Sequence, residues 1–179
     1  MVKTVIRYSK IYNFCFLRDY DVKELNKQWQ LVQDCGKMFE PIHKKYIAKI
    51  LKLIPKYTGV QWGKYCDEFI PIYIMSLYGP GFHQPLTLRI RKDPYLMLSM
   101  LIHELVHNNF PPTQYAKRMD SENCTDSVTF KILDELGIKD EKYPLMLTKF
   151  TVRRFGKKYK PNSFDVNQET IIKYLGRKK

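Results

Sequence analysis

The sequence predicts an α+β domain: a small mixed sheet packed on one helix that carries His103, Glu104 and His107, followed by a second, glutamate-bearing helix. Three observations support this. The run Leu101-Ile102-His103-Glu104-Leu105-Val106-His107 places H-E-x-x-H inside an apolar segment long enough for a buried helix. Strand-like stretches rich in β-branched and aromatic residues precede it. A further helical stretch follows after a short connection and ends at Gly137. With 179 residues, 44% hydrophobic and 14% aromatic, the chain has the length of one domain and enough apolar mass for a core.

Taken in order, residues 2–17 alternate apolar and polar in places, which predicts a strand or irregular N-terminal layer. Residues 21–33 form a short helix opened by Asp21. Met38 to Ile54 form a better one, with Phe39, Ile42, Tyr46, Ile47, Ile50, Leu51 and Ile54 at helical spacing and lysines opposite. Pro55 and Gly59 are its expected stop. Strands are predicted at Val60–Tyr65, Phe69–Leu77 and Leu86–Ile90, with Pro71 placing the start of the second at an edge. Asp93-Pro94 is an N-cap followed by proline at the first helical position, a good start for the H-E-x-x-H helix. The next helix lies within Gln114–Leu136 and starts between Thr113 and Ser121. Short helices over 142–150 and 166–175 would close the chain. The expected division is a domain over 1–150 and a basic extension over 151–179.

H-E-x-x-H on a helix has a direct chemical reading. Positions i and i+4 share a face, so His103 and His107 can bind one zinc ion while Glu104 beside them acts as general base. The implied chemistry is amide hydrolysis by a zinc-activated water. A catalytic zinc needs a third protein ligand, and no histidine follows His107. Glu122 on the following helix is the leading choice. Asp126, one turn on, is placed to accept a hydrogen bond from His103 or His107 and hold its tautomer. Asp120 is the nearest rival; His43 and His83 precede the metal helix and read as surface or loop histidines. Tyr143, Tyr115 and Tyr159 are the candidate oxyanion donors.

Charge points elsewhere. Thirty-one Lys and Arg against 18 Asp and Glu give +13, which suits a polyanionic partner, an acidic substrate or an anionic surface. The last 29 residues hold nine basic and two acidic residues, a net +7 interleaved with Phe155, Tyr159 and Tyr174. That extension would bind nucleic acid through phosphates and stacking, or fold over the cleft as an inhibitory segment. The four cysteines form no C-x-x-C pair, the N-terminus has no signal-peptide pattern, and no apolar run reaches membrane-spanning length. The expectation is an intracellular protein with free thiols.

These residues carry a family resemblance. H-E-x-x-H followed by E-x-x-x-D, from His103 to Asp126, resembles the gluzincin branch of the zincin metallopeptidases, in a minimal form. More broadly, residues 36–137 resemble the WLM and SprT-like metalloproteases. The similarity runs through Leu86-Thr87-Leu88-Arg89-Ile90-Arg91, then Met100 to Pro112, then Phe130 and Leu133-Asp134-Glu135-Leu136-Gly137. It implies a zincin-like fold and a small zinc endopeptidase that digests proteins bound or crosslinked to DNA. One departure matters: that family has a third histidine six residues after the second, and here the place is Thr113. Either Glu122 takes over, or the chain is a weak or inactive zincin-fold protein that binds nucleic acid or regulates. An extended substrate would pair with Leu86–Ile90, provided that strand is an edge.

Overall fold

The chain order is β1 (Lys3–Arg7), α1 (Lys10–Cys15), α2 (Val22–Thr58), β2 (Phe69–Met75), β3 (Phe82–His83), β4 (Leu86–Arg89), α3 (Pro94–Asn109) and α4 (Arg118–Glu135). This is a computed structural model that describes residues 2–15, 20–63, 68–76, 82–83, 85–110 and 118–138. The mixed α+β class is therefore as expected. The sheet order is β1-β2-β4-β3; β1, β2 and β4 run parallel, and β3 pairs antiparallel with β4. Parallel neighbours require a crossover, and α1 with α2 supplies the one between β1 and β2.

Ile70, Ile72 and Ile74 of β2 alternate into the core, joined by Leu86 and Leu88 of β4. The helices complete it: Val32, Phe39, Ile50 and Ile54 of α2, Leu98, Leu101, Ile102 and Leu105 of α3, and Val128 and Ile132 of α4. α3 is buried on most sides because it packs against α2, α4 and β4. Asp93 caps it through a bond from the Tyr95 amide at 2.9 Å. α4 ends in a left-handed Gly137, with the amides of Gly137 and Ile138 bonded back to Asp134 and Leu133. No helix among the described residues is long and apolar enough to cross a membrane.

The largest departure from the sequence reading is α2. Two helices with a break at 34–37 were expected; a single 37-residue helix forms. Pro41 is tolerated because it and Lys37, whose carbonyl it deprives of a donor, are both exposed to solvent. Pro55 likewise does not stop the helix. The carbonyl it leaves unpaired, that of Leu51, accepts instead from the Trp62 indole at 2.7 Å. Gly59, at φ 72°, ends the helix one turn later.

Other departures follow from pairing. The N-terminal layer resolves into β1 and the short α1. Val60–Tyr65 is not a strand over the residues described: Val60 and Gln61 are irregular and Trp62-Gly63 is a turn. β2 is an interior strand, yet its ladder to β4 begins only at Tyr73, so Pro71 has a neighbour on the β1 side alone. β4 is not an edge, being flanked by β2 and β3. His43 is neither on the surface nor in a loop. It is buried on α2, its Nε2 lies 3.0 Å from Thr4 Oγ1 of β1, and burial lowers its pKa. The helices expected over 142–150 and 166–175, together with Thr113, Tyr115, Tyr143, Tyr159 and the 151–179 extension, lie outside the described residues.

Gly36 shows why the break at 34–37 was misleading. It looks like a helix breaker, but it is the point at which the Tyr8 ring lies against α2; an added Cβ would come within 2.7 Å of Tyr8 Cζ and closer still to Cε1 and the hydroxyl. The Tyr8 hydroxyl donates to Glu40 at 2.6 Å. Gly36→Ala is expected to push the exposed Tyr8 ring off α2 and break its bond to Glu40, a cost of about 1 kcal/mol that roughly cancels the gain in helix propensity. In a Tyr8→Ala background the same change should stabilise by roughly 0.5–1 kcal/mol. Chemical denaturation of the four proteins in this cycle measures the difference.

Candidate metal centre

α3 and α4 pack against each other and bring three donor atoms together. His103 Nε2 lies 3.1 Å from His107 Nε2 and 3.3 Å from Glu122 Oε2; His107 Nε2 lies 3.4 Å from Glu122 Oε2. The helical i, i+4 spacing sets the histidine pair, and their rings stand edge to face with centroids 4.7 Å apart. Glu122 enters from the facing helix. Donors 2.0–2.1 Å from a tetrahedral zinc stand about 3.3–3.4 Å from one another, so this triangle has the size of one face of a zinc coordination sphere. Two imidazoles and a carboxylate are also the donor types zinc takes.

The outer nitrogens of both histidines face α4. His103 Nδ1 lies 2.8 Å from Asp126 Oδ1, and Asp126 is fully buried. With Nδ1–H donating to that carboxylate, His103 presents the Nε2 lone pair to the site. His107 Nδ1 lies 3.4 Å from Thr125 Oγ1. Glu122, Thr125 and Asp126 share one face of α4 because they are three and four residues apart. Glu104 is buried on α3, and its backbone carbonyl accepts from Asn108 Nδ2 at 3.2 Å.

Electrostatics prepare the donors. For Glu122, burial would raise the pKa, but bonds to His103 and His107 override it and hold the carboxyl well below the usual range. Burial, then the neighbouring His103, push His107 below its ordinary value, which favours the neutral imidazole. In His103 burial opposes the imidazolium, but Asp126, Glu122 and Glu104 outweigh it and raise the pKa well above the usual value. A metal held by these histidines would compete with their protons, so binding would weaken in acid. Cys124 is not a competing thiolate: burial pushes its thiol up to about 12.

A second polar network anchors the end of α3. Thr58 Oγ1, at the end of α2, donates to Asn109 Oδ1 at 2.6 Å, and Asn109 Nδ2 donates to the Val60 carbonyl at 3.0 Å. It clamps α3 two residues beyond His107.

The structure thus brings His103, His107 and Glu122 together, with Asp126 hydrogen-bonded behind His103. His43 sits elsewhere, bonded to β1. Asp120 lies within α4 and His83 within β3, but their side chains lie outside the description. Thr125 was not singled out from sequence; its signal is a hydroxyl on the Glu122/Asp126 face. The Thr58–Asn109–Val60 clamp had no local sequence signal. No protein-family model, curated protein or solved structure matches this chain.

Proposed function

We propose that the chain is a zinc metallopeptidase of zincin-like fold, with His103, His107 and Glu122 as the ligands and Glu104 as general base. The observation that carries this reading is the triangle of Nε2, Nε2 and Oε2 atoms with edges of 3.1, 3.3 and 3.4 Å. Two nitrogen donors and one carboxylate on three corners leave the fourth position to water or substrate, the pattern of a catalytic rather than a structural site. Zinc held there supplies Lewis acidity, which lowers the pKa of water toward neutrality and polarises a carbonyl.

The protein's own groups do the rest. Glu104 follows His103 directly, accepts a proton from water and delivers it to the departing amine. Asp126 positions His103, and Thr125 is placed to do the same for His107. Because β4 is flanked on both sides, strand addition by an extended substrate near it would have to use β3. Proteins associated with nucleic acid are the substrates we favour, on the strength of the +13 charge.

Metal removal tests the reading. The purified chain should carry one zinc by elemental analysis and slowly degrade an unfolded protein such as reduced casein. Chelation should stop cleavage and lower Tm, and one equivalent of zinc should restore both. Cleavage that persists after exhaustive chelation, or zinc well below one per chain after reconstitution, would remove the basis of the proposal.

A further inference from the structure

We propose that the solvent face of α2 is a docking surface for duplex nucleic acid, bound through the phosphate backbone without sequence preference. α2 carries eight lysines: Lys23, Lys27, Lys37, Lys44, Lys45, Lys49, Lys52 and Lys56, all exposed. At 100° per residue they fall within an arc of roughly 140°, a single stripe along one side of the helix. From Lys37 to Lys56 the stripe runs about 28 Å at 1.5 Å per residue. The only acid of α2 in that span is Glu40, which lies off the arc and accepts from the Tyr8 hydroxyl.

The stripe is not consumed by the fold. Glu135 of α4 engages the Lys56 ammonium, and its backbone carbonyl accepts from Lys49 at 2.8 Å. Lys37, Lys44 and Lys52 form no ion pair among the described residues. The opposite face of α2 is packed against α3, α4 and β2, so the lysines project from a held scaffold.

The chemistry selects among polyanions. An interfacial membrane helix inserts a continuous apolar face into lipid; α2 packs most of its apolar residues into the core, and the exposed Val22, Leu31 and Met38 do not make such a face. Single strands are gripped by exposed aromatic platforms. Tyr46 and Tyr57 are half-buried against the core and carry Lys45 and Lys56 over their rings at 4.8 and 5.1 Å. Base reading in the groove favours arginine forks, and α2 contains no arginine. A ladder of ammonium groups on flexible stems suits regularly spaced phosphates and nothing more specific. This surface lies outside the metal centre, and the inference does not rest on the peptidase reading.

The test uses the full-length chain and a fluorescent 25-base-pair duplex of arbitrary sequence, with anisotropy followed across a salt series. Wild type should bind, with log K falling linearly in log salt. The K37E/K44E/K52E triple variant should bind at least about tenfold more weakly, and its salt slope should be shallower by roughly 2–3, near 0.9 per lost phosphate contact. K37R/K44R/K52R should bind like wild type, and circular dichroism and zinc content should be the same in all three proteins. Wild-type affinity in the glutamate variant would overturn the proposal by placing the interaction on other basic residues, such as those of 151–179. Preference for a single strand over the duplex, or for anionic vesicles over either, would also overturn it.

Discussion

Replacing Glu104 by glutamine is expected to lower peptide cleavage by about 10²–10⁴-fold, the range over which a positioned general base contributes. The change isolates one property. Glutamine keeps the volume and a carbonyl acceptor but cannot take a proton near neutrality. Glu104 is buried on α3, and the bond from the Asn108 side chain to its backbone carbonyl survives the change. The three proposed ligands are untouched. Zinc content should stay at one per chain and Tm should stay close to wild type, while kcat falls and KM hardly moves. Single-turnover cleavage of an unfolded substrate measures the rate, and elemental analysis measures the metal. A variant as fast as wild type would exclude Glu104 as the base and leave the H-E-x-x-H run without its central residue.

Some parts of this molecule were legible from sequence because their causes are local. Asp93-Pro94 and Gly137 bound α3 and α4 through cap geometry that depends on a few neighbouring residues. The His103/His107 pair follows from helical spacing, and Glu122 with Asp126 from the same spacing on the next helix. What escaped depends on distant partners. Gly36, in the gap between the two expected helices, and Pro55, the expected stop, each suggest a break when read alone. α2 runs through both because Tyr8 comes to lie against Gly36 and Trp62 satisfies the Leu51 carbonyl; Pro41, already inside the expected helix, is tolerated because it and Lys37 face solvent. Likewise Val60 reads as the start of a strand but is bound into the clamp made by Asn109 and Thr58. α4 is the instructive intermediate case. Thr125, Asp126, Ser127 and Thr129 are all buried in it, so its apolar pattern is weak where its chemistry lies. Residue types, not periodicity, had to reveal that face.

Glu122→Ala should have the largest effect on metal binding. A four-ligand zinc site is worth about 10–16 kcal/mol, so one ligand accounts for roughly 3–4 kcal/mol, or on the order of 10²–10³-fold in affinity. Asp126→Ala acts differently although the two residues sit one helical turn apart. It leaves all three donors in place but frees the His103 ring and strips its Nδ1–H of a partner inside the protein. The expected cost to zinc affinity is smaller, about 10–100-fold. Its cost to folding is larger: breaking a buried pair around the fully buried Asp126 takes roughly 3–5 kcal/mol. Glu122 is more accessible than Asp126, though both imidazoles hold its carboxylate, so the metal-free Glu122→Ala protein should lose some stability but less than Asp126→Ala. Competition with a chromophoric chelator gives the two affinities, and denaturation of the metal-free proteins gives the two stabilities. The ordering must cross: Glu122 dominant for zinc, Asp126 dominant for folding. Wild-type zinc affinity in Glu122→Ala would assign the third donor to another residue, Asp120 being the nearest acid on α4. Equal effects of both variants in both assays would mean that the cluster is a buried polar network rather than a ligand set with its support.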